Sequence, residues 1–350
     1  MIEQVSGSMG ARIKDIAKLA EVSSATVSLV LNDKPGVGKE TRARIRRIAK
    51  ELNYQAPKAP EPVATPSDTI CFLHIARHGH TVNRDHDVFI ADYMEGLGQA
   101  AKAEGLSLQV FTFKSTPIDR IVETAQTLDA RGIVILGTEL SFTDAAAFSA
   151  LRKPLVFIDT FNEFLPFDYV DMNNEDSIFT IVAHLEDRGH RRIGFVRSSI
   201  ETRNFKLRED GFRASMKRLA LETDERCIYS VDSTFHGARE DMAALIASGI
   251  ELPTALVCAN DIIACGCLRA FKEAGVRVPE DLSLVGFDDL PLSSVVDPPL
   301  TTIQVSKAQI GRMAVRLLTD RLRGDAGRPP VKVVISGKLV ERASVRDLRP

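Results

Sequence analysis

The chain has 350 residues, 44% hydrophobic and 26% charged, with a formal net charge of -2, which fits a globular protein of more than one structural unit and excludes a low-complexity or fibrous chain. No run of eighteen apolar residues occurs, and residues 1–11 carry neither a basic start nor an apolar stretch; a membrane span and a secretion signal are therefore not expected, and a cytoplasmic protein is. The charge is unevenly divided, with eleven Lys/Arg against five Asp/Glu over residues 11–58, a local +6 that leaves -8 on the remainder.

A basic head on an acidic body is the electrostatic footprint of a phosphate-backbone binder joined to a sensor of uncharged ligands. After an expected disordered tail at 1–11, the head occupies 12–56. Its periodicity predicts helices near 13–20, 24–32 and 39–52, with Ile16, Ala17, Ala20, Val27, Val30 and Leu31 facing one small core. Only Glu21, Val22 and Ser23 separate the first two helices, so they must cross steeply, which is helix-turn-helix geometry. The third helix turns Ile45, Ile48, Ala49 and Leu52 inward and keeps Arg42, Arg44, Arg46, Arg47 and Lys50 outside, with Gly38 as its expected N-cap. Residues 57–68 contain Pro57, Pro60, Pro62 and Pro66 and read as a hinge linker.

From 69 to 350, short apolar runs alternate with amphipathic helical stretches. Strands are expected at 70–75, 108–113, 132–136, 155–158, 193–196, 228–231, 255–258 and 284–287, with helices such as 90–104, 117–128 and 262–274 between them. Thr116 reads as the N-cap of the second of these helices, with Pro117 at its first position. The alternation predicts an α/β class: the helix-turn-helix head followed by two doubly wound parallel-sheet subdomains, approximately 69–170 with 303–331 and 171–300 with 332–350. Ligands of such folds bind at the carboxyl ends of strands, in the cleft between subdomains. Cys71, Cys227, Cys258, Cys265 and Cys267 are odd in number and mostly lie in or beside apolar runs, so they read as reduced core thiols. Cys265-Gly-Cys267 lacks the second pair that a zinc site needs, and no cofactor or metal is called for.

The segments Ile13-Lys-Asp-Ile-Ala-Lys-Leu-Ala20, Val22-Ser-Ser-Ala-Thr-Val-Ser28, Asn32, Ala259-Asn-Asp261, Val285-Gly-Phe-Asp-Asp289 and Pro299-Leu-Thr-Thr302 resemble the lactose-repressor (LacI/GalR) family of bacterial transcription factors across nearly the whole chain. The resemblance implies a repressor that works as a homodimer. Its paired heads would bind a palindromic double-stranded operator, and its core, similar to periplasmic sugar-binding proteins, would bind a small-molecule effector.

A reading helix offers base edges the residues at its N-terminal end, here Ser24, Ala25, Ser28 and Leu29. By resemblance Ser24, Ala25 and Leu29 are the base readers. Many family members carry Arg at the Leu29 position, so the usual guanine contact is not expected; Leu29 could instead pack into the head's own core. Lys14, Ser23, Asn32, Thr41 and Arg44 are placed for phosphates. By resemblance Val63 takes the place of a hinge residue that wedges into the minor groove, although the flanking prolines suit a flexible spacer equally.

For the effector, carboxylates and guanidinium groups suit sugar hydroxyls and an aromatic ring suits the apolar sugar face. By resemblance Asp159, Arg208, Asn260 and Asp288 contact effector and Phe235 stacks on it. Arg203, Asn204 and Asp261 lie nearby in sequence, and Phe89, just beyond the segment 78–86, is expected to line the pocket as well. Asn260 could equally be only a helix cap. The segment 78–86, with His78, His80 and His86, overhangs the expected cleft; its histidine spacing fits no standard metal site, and it reads as a polar lid. The effector is expected to be a mono- or disaccharide or glycoside, the alternatives being a purine or nucleoside, or a protein co-regulator. Gly96-Leu-Gly98 imitates a dinucleotide fingerprint but falls inside a helix, so an enzyme is not the reading, and a transport binding protein would not carry the basic head. No leucine heptad follows residue 331, so a dimer rather than a tetramer is expected.

Overall fold

The computed structural model describes residues 13–31, 36–52, 54, 68–78, 87–324 and 327–349. The tail 1–11 and most of the linker lie outside the described residues. The chain divides into two compact units, 1–63 and 64–350.

In the first unit α1 (Ile13–Leu19), α2 (Ser24–Leu31) and α3 (Lys39–Glu51) enclose Ile16, Ala17, Ala20, Val27, Val30, Ile45, Ile48 and Ala49. The amide of Val22 donates to the carbonyl of Ala17 at 3.0 Å, and Glu21 takes a φ of 52°. That left-handed residue is what turns the chain out of α1 within three residues. Gly38 is the N-cap of α3, as its sequence predicts.

The second unit holds two parallel sheets. Six strands, β1 (Thr69–Ala76), β2 (Ser107–Lys114), β3 (Gly132–Leu136), β4 (Leu155–Ile158), β5 (Asp168–Met172) and β11 (Lys332–Ile335), stand in the order β11-β5-β4-β3-β1-β2. Four more, β6 (Ile193–Ser198), β7 (Ile228–Val231), β8 (Ala255–Cys258) and β9 (Ser283–Val285), stand in the order β7-β6-β8-β9. A short antiparallel ribbon joins β10 (Thr302–Gln304) to β12 (Lys338–Val340). Apolar side chains fill both faces of the six-stranded sheet, which is why its strands β3 and β4 read as unbroken apolar runs. The five cysteines are buried and free of disulfides.

Several details differ from the expectation. Strand β11 pairs with β5, Lys332 opposite Tyr169, so the segment returning to the first sheet runs to 335 and not to 331. Helix α5 (Ile118–Thr127) takes Pro117 as its N-cap, because Thr116 Oγ1 is turned away to donate to the Lys114 carbonyl at 3.2 Å. Strand β9 ends at Val285, two residues before the expected 287, since the Gly286 and Asp288 amides turn to the Thr301 and Ile303 carbonyls, both at 2.9 Å. Helix α4 (Asp87–Ala103) crosses α12 (Lys307–Leu322) with backbones in contact. A β-carbon on Gly96 would lie 2.2 Å from the Ala308 carbonyl oxygen; this glycine serves helix packing.

Candidate functional site

The carboxyl ends of β3, β4, β6 and β8, together with the loop after β9, converge on one tight cavity, with about 30 Å³ of free space, lined by Asp159, Asn204, Phe205, Arg208, Asn260 and Asp288, with Phe89, Ile90, Thr138 and Thr202. Asp159 follows β4 directly and is held at a φ of 56°. Its carboxylate accepts from Tyr93 Oη at 2.9 Å, from Thr138 Oγ1 and from Asn204 Nδ2 at 3.2 Å. Thr138 reaches it because Gly137 follows β3, at a position where a β-carbon would lie 2.3 Å from Thr160 Cγ2.

The opposite wall comes from α7 (Asn174–Asp187) and α8 (Arg203–Arg218). Thr202 caps α8 by accepting from the Phe205 amide at 3.2 Å. The first turns of α8 then present Asn204 and Arg208 on one face, four residues apart. Arg208 is buried; its Nε donates to Asn174 Oδ1 at 2.9 Å, Nη1 to the Ala259 carbonyl at 2.6 Å and Nη2 to Asp288 Oδ1 at 3.2 Å. The guanidinium also sits 3.8 Å above the Phe287 ring. Asn174 Nδ2 donates to Asn204 Oδ1 at 3.0 Å. The result is a continuous polar chain, Asp288–Arg208–Asn174–Asn204–Asp159, that crosses the cleft between the two sheets.

Electrostatically the cavity is rich in carboxylates. Burial pushes Asp159 up to about 6, against the lowering effect of its Thr138 and Tyr93 hydrogen bonds. Asp171 on β5 is raised further, by burial first and by the Asp159 charge second; among the described residues its Oδ2 has no hydrogen-bond partner. A neutral Asp171 beside an ionised Asp159 is the arrangement two crowded buried acids adopt.

Of the residues expected at the effector site, Phe89, Asp159, Asn204, Arg208, Asn260 and Asp288 line the cavity. Asn260 also caps α10 (Asp261–Glu273), accepting from the Ile263 amide at 2.9 Å. Three others stand elsewhere. Arg203 points away to the Phe161 carbonyl and the Glu163 carboxylate. Phe235 opens α9 (Phe235–Ala247) half-buried, its ring packed on the apolar core and edge-on to His236. Asp261 lies under the loop after β9, where its carboxylate accepts from the Leu290 amide at 2.8 Å and from Thr302 Oγ1 at 2.6 Å; burial raises it to about 8. It therefore positions Asp288 from below.

Sequence reasoning missed Thr138, Tyr93, Asn174 and Lys307. Tyr93 stands one turn after Phe89 on α4, a spacing that could have flagged it. Lys307 is buried, donates to the Asp288 carbonyl at 2.9 Å and lies 4.9 Å from the Phe89 ring centre. His78 is tied to Glu139, whose carboxylate accepts from the His78 amide at 2.7 Å; residues 79–86 of the expected lid, with His80 and His86, lie outside the described residues, as do Asn32 and Val63.

In the head, Ser24 and Ala25 are exposed at the start of α2, and Ser28 and Leu29 are half-buried. Leu29 does not belong to the head's apolar cluster. Ser23 Oγ accepts from the Thr26 amide at 3.1 Å and so caps α2. Lys14 and Arg44 are exposed, and Thr41 is half-buried.

Two sequence profiles match the chain: bacterial regulatory proteins of the lacI family over residues 12–56, and a periplasmic binding protein-like domain over 182–345. The transcriptional repressor CytR of Escherichia coli K12 is 31% identical over 325 residues, covering 90% of both proteins. The chain belongs to the lacI family. It is thus a DNA-binding transcriptional regulator with a helix-turn-helix head and an effector-binding core. The repressor PurR of Haemophilus influenzae is 29% identical over 343 residues, covering 97% of this chain and 99% of that protein. The crystal structure of the lac repressor dimer bound to operator and the anti-inducer ONPF superposes with a TM-score of 0.70 at 25% identity, over 97% of this lacI-family chain and all of that one. A regulator CelR in complex with cellobiose gives a TM-score of 0.71 at 24% identity, over 95% of this chain and 99% of that one, a likeness of fold. No helix among the described residues is long and apolar enough to cross a membrane.

Proposed function

We propose that this regulator is a repressor that binds a palindromic operator as a homodimer and is controlled by a small neutral sugar or glycoside held in the cavity between the sheets. The observation that carries the reading is the Asp288–Arg208–Asn174–Asn204–Asp159 chain. It offers carboxylate acceptors, amide groups and a fixed guanidinium within one small space, which is the donor and acceptor set that adjacent hydroxyls need. Phe89 and Phe205 supply apolar faces beside it.

An effector entering the cleft would replace the Asn204 to Asp159 bonds with bonds of its own to both walls, shifting the balance between cleft arrangements. Head spacing and operator affinity would follow, and the coupling must be reciprocal. In the heads, Ser24, Ala25, Ser28 and Leu29 are assigned to base edges, with Leu29 and Ala25 reading thymine methyl groups, while Lys14, Ser23, Thr41 and Arg44 are assigned to phosphates.

The test is a thermal-shift screen of mono- and disaccharides, glycosides and nucleosides with the full chain, repeated on Arg208→Ala, with sedimentation for the dimer. Stabilisation by a sugar that disappears in the variant supports the reading. Stabilisation by nucleosides alone overturns the effector class.

A further inference from the structure

We infer that the second unit carries another small-molecule site, separate from the effector cavity, that takes a flat, uncharged aromatic compound bearing one hydrogen-bond acceptor. A hollow of about 260 Å³ lies beneath the loop 159–167 and the start of α6 (Phe142–Ala147), lined by Leu140, Phe142, Phe161, Phe164, Tyr169 and Arg203 among others. Four of those six are aromatic. Phe142 and Phe164 stand at its rim, 51% and 84% exposed.

Tyr169, on β5, is fully buried, and among the described residues its hydroxyl has no hydrogen-bond partner. Its ring stacks on Phe157 with centroids 5.3 Å apart, and Lys332 Nζ lies 5.8 Å from its centre. Burial first, and the nearby Glu163 carboxylate second, push the phenol far above its ordinary value, so it stays a neutral donor at any physiological pH. Leaving such a donor unmade costs free energy. A ligand acceptor reaching the hollow's floor would restore the bond.

The surrounding frame is stiff. Asn162 Oδ1 accepts from the Phe164 and Leu165 amides at 2.9 and 3.1 Å, Lys332 Nζ donates to the Glu163 carbonyl at 2.6 Å, and Arg203 clasps Glu163 from the start of α8. With Arg203 and Glu163 neutralising one another and no other charged residue lining the hollow, the site selects against ions. The site's existence does not depend on which effector the neighbouring cavity takes.

The probes are methyl benzoate, flat and neutral with an ester carbonyl, and toluene, which lacks an acceptor. Ligand-observed saturation-transfer NMR on the full chain reads both. The expected result is binding of methyl benzoate, weakened roughly fivefold in Tyr169→Phe, the worth of one neutral hydrogen bond, with toluene unaffected by that change. Leu140→Trp, which fills the hollow, should abolish both signals, while Tyr169→Phe should melt no lower than the parent because it removes only an unsatisfied hydroxyl. The inference is overturned if neither probe binds at 10 mM probe, if Tyr169→Phe leaves methyl benzoate binding unchanged, or if Arg208→Ala in the effector cavity removes the signal while Leu140→Trp keeps it.

Discussion

Replacing Arg208 with Met keeps the volume of the side chain near constant and removes its charge and donors. The side chains of Arg208 and Asp288 are 3% and 5% exposed, so the change strands a buried carboxylate, and it orphans Asn174 Oδ1 and the Ala259 carbonyl as well. Breaking a buried pair by removing one partner costs about 3–5 kcal/mol, most of it the uncompensated charge. For a unit of nearly 290 residues that is a fall in Tm of about 6–10 °C, at roughly 2 °C per kcal/mol. Adding Asp288→Asn removes the stranded charge and should recover about half of the loss, since a neutral replacement of a buried pair is far less costly than half of one. The chain has no tryptophan and four tyrosines, so far-UV circular dichroism in urea is the appropriate measurement. A single-variant loss under about 1 kcal/mol, or a double variant less stable than Arg208→Met, would refute the view that Arg208 exists to neutralise and hold Asp288.

Three further outcomes are expected. Asp159 sits at about 6 in the effector-free protein; an effector donating hydroxyls to its ionised form should bind up to about tenfold more weakly at pH 5 than at pH 7, with Asp159→Asn flattening the profile in isothermal titration. Asp261 is raised to about 8, above its unfolded value, so its contribution to stability is full below pH 4 and is lost as pH rises through 8. Asp261→Asn should therefore reduce the fall in Tm between pH 6 and pH 9, and an unchanged fall would exclude Asp261 as its source. In the head, Arg44→Ala should weaken operator and random DNA alike and lower the salt slope by about 1, whereas Leu29→Ala should relax preference at a single base pair, both read by fluorescence anisotropy.

The fold was legible wherever strands are buried on both faces. The bounds of Gly132–Leu136, Leu155–Ile158 and Ala255–Cys258 coincide with their apolar runs. Strand β5 escaped because Asp168 and Asp171 interrupt its run. Asp168 is admissible there only because two arginines more than 150 residues away, Arg321 and Arg328, both bond to its carboxylate, Arg321 Nε at 2.6 Å and Arg328 Nη2 at 2.8 Å, and no local pattern announces so distant a partner. At the cavity, residues that follow strands directly were readable, since Asp159 and Asn260 can face only the strand ends. Arg203 and Phe235 were misplaced for the converse reason. Each opens a helix, and one residue of rotation about a helix axis, 100°, separates Arg203 at the Glu163 carboxylate from Asn204 at the cavity.

The same geometry explains why the cavity is suited to switching. Asp159, Asp288 and Asp289 all hold φ values between 51° and 109°, a conformation costing an aspartate of order 1–3 kcal/mol at each position. Asp159 and Asp171 are buried close enough that one raises the other. The Asn204 amide, bonded to the Asp159 side chain and backbone carbonyl and 3.5 Å from Asp171, joins the Thr138 and Tyr93 hydroxyls in offsetting that crowding. A ligand can move the balance between cleft arrangements only by its difference in affinity for them. Hydroxyl donors directed at Asp159 compete with Asn204 itself, so ligand binding and cleft geometry cannot be independent. Asn204→Ala should consequently uncouple them: effector would still bind through Arg208 and Asp288, but the response of operator affinity to effector would shrink.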